Sequence, residues 1–209
     1  MPLLSELLSR AALPDIAVLG DTGVVVTDIT ADSREVKPGA LFVAMSGTKA
    51  DGVQYIPDAL RNGAAAIMLS AQVRLDMASS VPVIRVSDLR AAIAALARAM
   101  YPAQPPFMVA VTGTDGKTST ADFTRQLAAL LGHKSASLGT LGLRSDIAAL
   151  NEKFPALNTS PEPVLLHRTL SALVDAGITH VAMEASSHGL DQKRLDGITL
   201  SAAAFTNLA

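Results

Sequence analysis

A glycine-bearing turn that joins an apolar strand to a helix constrains this chain more than any other feature. The turn reads Gly113-Thr-Asp-Gly-Lys-Thr118. Gly113 and Gly116 let the backbone fold tightly and point N–H groups inward, and the helix N-terminus adds a partial positive charge. Lys117 supplies a full charge, and Thr118 supplies a hydroxyl suited to Mg²⁺. This order of elements predicts a parallel sheet that binds phosphate at the carboxyl ends of its strands.

The turn is a short form of the phosphate loop, because Val111 stands where the longer form has its first glycine. A chance glycine-rich turn is the alternative. A random chain of this length would contain the short pattern roughly once in a hundred cases. The position between a strand and a helix makes chance a weaker explanation still. The predicted nucleotide-binding residues are therefore Gly113, Thr114, Asp115, Gly116, Lys117, Thr118 and Ser119.

A proline-rich stretch, Tyr101-Pro-Ala-Gln-Pro-Pro106, divides the chain. It cannot continue the helical pattern before it, so it predicts a semi-rigid linker. The predicted domains are 1–104 and 105–209. Strands alternate with helices in both, which favours an α/β fold. We expect a mixed α/β domain first and a parallel-sheet domain with the phosphate loop second, the latter incomplete.

Hydrophobic periodicity and turn residues predict the individual elements. Helices are predicted at 3–12, 57–62, 88–100, 118–131 and 163–176. Strands are predicted at 23–29, 40–45, 64–69, 82–86, 107–111, 134–138, 179–183 and 201–205. Residues 144–162 are polar without a clear period, so they are predicted to be irregular.

Composition narrows the classes of partner. The formal net charge is −2, with 17 Lys and Arg against 19 Asp and Glu, which disfavours nucleic acid and anionic membranes. There is no cysteine, so disulfides and thiolate chemistry are excluded. The first residues lack a basic signal region, and prolines interrupt the longest uncharged stretch. We expect a cytoplasmic monomer that acts on small molecules.

The segment Val111-Thr-Gly-Thr-Asp-Gly-Lys-Thr-Ser119 resembles the ATP loop of the Mur ligases, cytoplasmic ATP-dependent enzymes that build the peptidoglycan stem peptide. The run Glu184-Ala-Ser-Ser-His-Gly-Leu190 resembles the member that adds the third residue of that peptide. Other segments match in family order over most of the chain: Asp32-Ser-Arg34, Leu41-Phe-Val-Ala44, Ala50-Asp-Gly52, Asn158-Thr-Ser-Pro161 and Phe205-Thr-Asn207.

The resemblance implies a reaction that uses ATP and Mg²⁺. The terminal carboxylate of UDP-MurNAc-L-Ala-D-Glu would attack the γ-phosphate, and the amine of meso-diaminopimelate or L-lysine would then displace phosphate from the acyl phosphate. Lys117, together with Mg²⁺ held by Thr118 and Glu184, would neutralise charge on the transferring phosphoryl group. Lys117 and Glu184 are the implied catalytic residues. From the residues alone, Glu184 could instead be an exposed acid at the end of a strand.

The resemblance also assigns substrate contacts. The UDP pocket would use Ser33, Thr48, Lys49 and Ala50, and the rest of the substrate would contact Asn158, Thr159, Ser160, Ser186, Gln192 and Arg194. Arginine suits a carboxylate or a pyrophosphate because it offers a fork of donors. Loop capping is the alternative for the hydroxyl and amide side chains. Asp32 and Arg34 could form a local ion pair, and His188 is left open between a site role and a structural one.

One residue departs from the family, which usually has Asn where this chain has Asp115. A carboxylate beside a triphosphate is electrostatically unfavourable, so we expect Asp115→Asn to keep or improve nucleotide affinity. The family pattern continues beyond the Phe-Thr-Asn segment with a carbamylated lysine that binds a second Mg²⁺ and with a third domain for the amino acid. We therefore expect this chain to be an N-terminal piece without ligase turnover of its own. A different P-loop kinase and a non-catalytic UDP-sugar or nucleotide-binding module are the alternatives.

Overall fold

The computed structural model describes residues 1–45, 51–74, 79–154 and 159–207. Its contacts divide the chain into two compact units, Met1–Met100 and Tyr101–Ala209. The proline-rich stretch thus belongs to the second unit, four residues earlier than the predicted division. Arg168 Nε donates to the Tyr101 hydroxyl at 3.2 Å, and Gln104 exchanges two hydrogen bonds with the backbone of Thr199. These contacts attach the stretch to the second unit.

The first unit is built on a five-stranded sheet in the order β1-β5-β4-β3-β2. Neighbouring strands from β5 to β2 are parallel, and β1 is antiparallel to β5. The strands are β1 Ala17–Leu19, β2 Asp28–Thr30, β3 Ala40–Ala44, β4 Ala66–Ser70 and β5 Val83–Val86. The helices are α1 Leu4–Ala11, α2 Ile56–Arg61 and α3 Leu89–Met100.

Local sequence explains why these elements form where they do. Every residue of β3 is buried, as in a central strand that is covered on both faces. Helix α3 starts after Asp88, whose carboxylate accepts the Ala91 N–H at 3.0 Å. Pro57 lies in the first turn of α2, and Gly63, with φ of +90°, follows its end.

The second unit is built on a five-stranded sheet in the order β10-β6-β9-β7-β8. The first four of these strands are parallel, and β8 is antiparallel to β7. The strands are β6 Phe107–Thr112, β7 Ser135–Gly139, β8 Gly142–Ser145, β9 His180–Glu184 and β10 Ala202–Phe205. The helices are α4 Lys117–Leu130, α5 Ala148–Lys153, α6 Pro163–Asp175 and α7 Ser187–Asp191.

The core of the second unit lies between α6 and the sheet. Leu166, Leu170 and Leu173 of α6 are fully buried and pack in one cluster with Met108 of β6 and Met183 of β9. The apolar side chains of the helix thus pack against the apolar side chains on one face of the sheet. This packing fixes the four parallel strands, so their carboxyl ends form a common edge.

The fold class predicted from the sequence is confirmed, since both units are α/β and their sheets are mainly parallel. Some element predictions are wrong. The strand predicted at 23–29 is wrong over most of its length, since β2 spans Asp28–Thr30, and β1, β8 and α7 were not predicted. Residues 144–162 contain α5 and the end of β8, because Asn151 Nδ2 donates to the Ser145 carbonyl at 2.8 Å and Phe154 is buried. The packing of Phe154 into the core is a tertiary contact, which a local sequence pattern does not reveal.

Within the described residues, the helices are all too short or too polar to cross a membrane.

Candidate functional site

The carboxyl-terminal edge of the second sheet gathers the candidate residues of this unit. The phosphate loop follows β6, the turn 139–142 joins β7 to β8, Glu184 ends β9, and the segment 206–207 follows β10. The sheet order places β6 between β10 and β9, and β9 next to β7. Segments far apart in sequence therefore meet at one edge.

The phosphate loop has the backbone that the sequence predicts. Gly113 and Gly116 have φ of +133° and +79°, a region that side chains other than glycine rarely adopt. Lys117 Nζ donates to the carbonyls of Gly113 at 2.6 Å and Thr114 at 2.8 Å. The ammonium group is thus held over the loop, beside the N-terminus of α4. This combination of an ammonium group and a helix N-terminus attracts phosphate.

Two residues after β10 hold this loop from behind, and we call them the loop clamp, Thr206 and Asn207. The Thr206 hydroxyl donates to the Asp115 carbonyl at 2.5 Å and lies 3.2 Å from the Thr112 carbonyl. Asn207 Oδ1 accepts the N–H groups of Thr114 at 2.9 Å and Asp115 at 3.3 Å. The loop conformation therefore depends on a strand more than 80 residues away along the chain.

The Glu184 carboxylate is buried, with 2% of the residue exposed, so its interpretation as an exposed strand-end acid is wrong. Its Oε1 accepts the Thr140 N–H at 2.8 Å, and its Oε2 lies 3.2 Å from the Thr140 hydroxyl. A Cβ at Gly139 would lie 1.9 Å from Oε1, so the strand end has room for the carboxylate only because residue 139 is glycine. A charge buried in this way requires such donors.

Thr118 and Glu184 line one cleft together with Asp122 and Ser137. Asp122 accepts hydrogen bonds from Arg125 Nε at 2.8 Å, Gln126 Nε2 at 2.8 Å and the Ser137 hydroxyl at 3.2 Å. The bond from Arg125 is the main reason that the pKa of Asp122 is lowered, against the opposing effect of partial burial. The cleft therefore contains two carboxylates that other groups already hold in place.

The oxygen donors of this cleft fit Mg²⁺. This ion prefers hard oxygen ligands, keeps several waters, and commonly uses one or two protein carboxylates together with substrate phosphates. A hydroxyl from Thr118 and a carboxylate from Glu184 match that set. In the part of the chain that the structure describes, no cluster of three or more His, Cys, Asp or Glu residues forms a dedicated metal cage.

Ser160 joins the loop before α6 to the segment after β9. Its hydroxyl accepts the Ser186 N–H at 3.0 Å and lies 3.1 Å from the Ser186 hydroxyl and 3.3 Å from the Glu184 carbonyl. The Ser186 hydroxyl also accepts the Gly189 N–H at 3.0 Å and so caps α7. In this structure Ser186 therefore has the capping role that the sequence left open as an alternative.

Arg194 is held by acceptors of the protein itself. Nη1 donates to the Ser160 carbonyl at 2.8 Å, while Nε and Nη2 donate to Gln192 Oε1 at 2.9 and 2.6 Å. Nη2 also lies 2.8 Å from Glu162 Oε1, and only 12% of the arginine side chain is exposed. Gln192 Nε2 lies 2.7 Å from His188 Nε2. The structure thus brings together Ser160, Ser186, Gln192 and Arg194.

The candidate residues of the first unit have a simpler arrangement. Asp32 accepts the backbone N–H of Arg34 at 2.9 Å and its Nη2 at 2.5 Å, and the bond from the guanidinium lowers the pKa of Asp32. Ser33 between them is buried, and its carbonyl accepts Asn62 Nδ2 at 2.9 Å. The local ion pair considered from the sequence is therefore present. Thr48, Lys49, Ala50 and Asn158 lie outside the described residues.

Sequence reasoning did not assign several residues that the structure places at this edge. Thr140 holds Glu184, Asp122 lines the cleft, and the loop clamp holds the phosphate loop. Two signals were present in the sequence. The segment Phe205-Thr-Asn207 took part in the family resemblance without a role, and two glycines surround Thr140 directly after a strand.

Comparison with known proteins matches this architecture to one family. The model of the Mur ligase middle domain matches residues 111–209, and that of the Mur ligase family, catalytic domain, matches residues 25–101. A UDP-N-acetylmuramoyl-L-alanyl-D-glutamate--2,6-diaminopimelate ligase of Agrobacterium fabrum is 50% identical over 96% of this chain and 40% of its own length. The ligase of that name from Rhizobium meliloti is 52% identical over 90% of this chain and 38% of its own length.

A solved structure titled as a UDP-N-acetylmuramoyl-L-alanyl-D-glutamate--2,6-diaminopimelate ligase superposes with a TM-score of 0.73 at 28% identity. The match covers 88% of this chain and 37% of the solved one. The chain therefore spans about two fifths of the length of the relatives that it matches. Since two models of one family match in succession on either side of the proline-rich stretch, and the solved structure shares the fold, this chain belongs to the Mur ligase family.

Proposed function

We propose that this chain is the nucleotide-binding and UDP-substrate-binding part of an ATP-dependent ligase. The ligase adds the third amino acid to UDP-MurNAc-L-Ala-D-Glu in peptidoglycan synthesis. The observation that carries the proposal is the convergence of the phosphate loop, the buried Glu184 and the Ser160–Arg194 cluster at one sheet edge. The names of the relatives favour diaminopimelate over L-lysine as the amino acid.

In this proposal, ATP lies along the phosphate loop. The Lys117 ammonium group now donates to two loop carbonyls, and it is placed to donate to phosphate oxygens instead. Thr118 and Glu184 would hold Mg²⁺, which supplies positive charge against the phosphates. The protein's own contribution is to orient these groups before the ligand arrives, so that little reorganisation is needed during phosphoryl transfer.

The cluster around Arg194 is the proposed site for the peptide end of the substrate. The guanidinium joins the Ser160 carbonyl to the Gln192 side chain, and the Ser160 hydroxyl contacts the Ser186 hydroxyl. Thr159 precedes Ser160 in the chain. The substrate carboxylate must come close to the nucleotide to attack it, and the Ser160 hydroxyl lies 3.3 Å from the backbone carbonyl of Glu184. The UDP end is assigned to Ser33 and to residues 48–50 of the first unit. We propose a cytoplasmic location, where ATP and UDP-sugars are available, and a monomeric chain.

A chimeric enzyme tests this function without relying on the chain alone. The matched region of the Agrobacterium fabrum ligase, 204 residues at 50% identity, is replaced by this chain. With ATP, Mg²⁺, UDP-MurNAc-L-Ala-D-Glu and diaminopimelate, we expect UDP-MurNAc-tripeptide together with stoichiometric phosphate. Lys117→Ala in the same chimera should remove both products.

Two results would overturn the proposal. A folded chimera that forms ADP and a phosphorylated substrate at the same rate without the amino acid would indicate a different phosphotransferase. A folded chimera that binds ATP and the UDP-substrate but never hydrolyses ATP would indicate a binding module. Calorimetry with UDP-MurNAc-L-Ala-D-Glu and with UDP-MurNAc-L-Ala tests the substrate assignment, since only the first should bind tightly.

A further inference from the structure

Thr140 contacts both carboxylate oxygens of Glu184. It follows the last residue of β7, and its backbone N–H donates to Oε1 at 2.8 Å. Its hydroxyl lies 3.2 Å from Oε2. One residue therefore fixes both the position and the rotation of the carboxylate plane.

The surroundings of this contact are shaped for the carboxylate. Glu184 is 2% exposed, so water cannot replace a lost donor at little cost. Gly139 stands where any side chain would collide with Oε1. Among the described residues, both donors to this carboxylate belong to Thr140, which lies in the turn after β7 and not on the strand of Glu184. A buried carboxylate held in this way takes its orientation from those donors.

A second hydroxyl orients the first. Thr140 has a single O–H proton, and donating it to Glu184 leaves its oxygen as an acceptor. The Thr159 hydroxyl lies 3.1 Å from that oxygen and is the matching donor. The three side chains thus form a chain of hydrogen bonds from Thr159 through Thr140 to Glu184, and such chains strengthen one another.

We propose that Thr140 is a positioning residue of the metal site, which holds the Glu184 carboxylate in the orientation that binds Mg²⁺. The inference rests on the proposed function, because it takes Glu184 as a ligand of nucleotide-bound Mg²⁺. Thr159 supports this role by orienting the Thr140 hydroxyl. Since Thr159 also lies on the segment proposed for the peptide end of the substrate, the same hydrogen bonds join the two sites.

Magnesium dependence of ATP binding separates positioning from a general structural role. Calorimetry on the full chain gives the dissociation constant of ATP in Mg²⁺ and in EDTA, and the ratio of the two is the gain due to the metal. We expect Thr140→Val to reduce this ratio at least about fivefold, while ATP affinity in EDTA stays unchanged. Thr140→Ser keeps the hydroxyl and should retain the gain. Thr159→Val should cause a smaller loss.

A matched control comes from α6, where the buried Thr169 hydroxyl donates to the Leu165 carbonyl at 2.7 Å. Thr169→Val removes a hydroxyl from the same unit and should leave the metal-dependent gain unchanged. Thr140→Ala, which adds no methyl group to the turn, is measured beside Thr140→Val in case valine disturbs the fold. Thermal unfolding checks that each variant is folded.

The outcomes distinguish this inference from the proposed function. Failure of the unsubstituted chain to bind Mg-ATP would overturn both. If the unsubstituted chain shows the metal-dependent gain and folded Thr140→Val or Thr140→Ala keeps all of it, the inference alone is wrong. An equal loss of affinity in Mg²⁺ and in EDTA would also contradict it, because that result indicates a disturbed loop rather than a misplaced ligand.

Discussion

The two candidate regions of this chain are held together in different ways. At the edge of the second sheet, hydrogen bonds join Thr140 to Glu184, Ser160 to Ser186 and Thr114 to Asn207, across 44, 26 and 93 residues of sequence. In the first unit, Asp32 and Arg34 are two residues apart and bond mainly to each other.

The sequence separation of these hydrogen bonds distinguishes a candidate ligand site from a simple turn. A local pair can close its own turn, and such a contact needs no ligand to explain it. Polar groups drawn from four strands into one edge close no turn, and ordering them costs conformational entropy. The edge of the second unit is therefore the stronger site by structure alone, while the assignment of Ser33 depends on the family resemblance.

The largest expected effect comes from Gly113. A Cβ there would lie 2.1 Å from the Thr206 hydroxyl, and the φ of +133° is unfavourable for other residues. Gly113→Ala should lower the free energy of unfolding by about 2–5 kcal/mol and abolish Mg-ATP binding. Denaturant unfolding and calorimetry measure the two effects.

Gly132 is the matched control, because it follows α4 with φ of +85° and nothing lies within 4 Å of its would-be Cβ. Gly132→Ala should cost only about 1–2 kcal/mol and leave nucleotide binding intact. Equal costs at the two positions would show that the loop clamp does not constrain the phosphate loop, and the contrast between long-range and local contacts would lose its main support.

The loop clamp gives the next largest effect. Thr206→Val removes the hydroxyl that contacts the Asp115 and Thr112 carbonyls, so the loop should populate other conformations. We expect about a tenfold loss of Mg-ATP affinity, measured by calorimetry. Thr206→Ser restores the hydroxyl and should recover most of the affinity. If serine fails to rescue a folded variant, the hydroxyl is not the cause.

A smaller effect of opposite sign is expected at Asp115, which is exposed on the phosphate loop. Its carboxylate repels a triphosphate, so Asp115→Asn should keep Mg-ATP affinity or raise it by up to about tenfold. The gain should shrink as salt is added, because exposed charges are screened. A clear loss of ATP binding in this variant would contradict the electrostatic interpretation.

The smallest effect compares Asp122 with Asp32, whose pKa values are both lowered by arginine. A carboxylate with a lowered folded-state pKa stabilises the fold above its unfolded value near 3.8, and this stability is lost as pH falls through the folded-state pKa. Asp122→Asn should weaken the pH dependence of the free energy of unfolding at acid pH more than Asp32→Asn does. The reason is that Asp122 accepts hydrogen bonds from residues of both α4 and β7. Equal changes in acid unfolding would contradict this ranking.

The elements that could be predicted from the sequence are those with a regular apolar pattern or with specific residue types at a turn or a helix end. The phosphate loop, the helices with clear caps and the buried strands follow from local chemistry, and Lys117 and Glu184 lie at the predicted edge. Thr140 and the loop clamp could not be assigned, since a threonine acquires its role only from a strand that packs beside it. Helix α5 was missed for a similar reason, because Phe154, which directly follows it, packs into the core of the second unit.

Titration of Mg-ATP into the unsubstituted chain and into Lys117→Ala tests whether the phosphate loop is the nucleotide site. Lys153→Ala serves as the control, because its ammonium group lies 5.5 Å from the Phe154 ring, away from the loop sequence. We expect Mg-ATP to bind the unsubstituted chain and Lys153→Ala, and to bind folded Lys117→Ala at least about a hundredfold more weakly. Equal affinity in all three proteins, or no binding by the unsubstituted chain, would contradict the assignment of this edge as the nucleotide site.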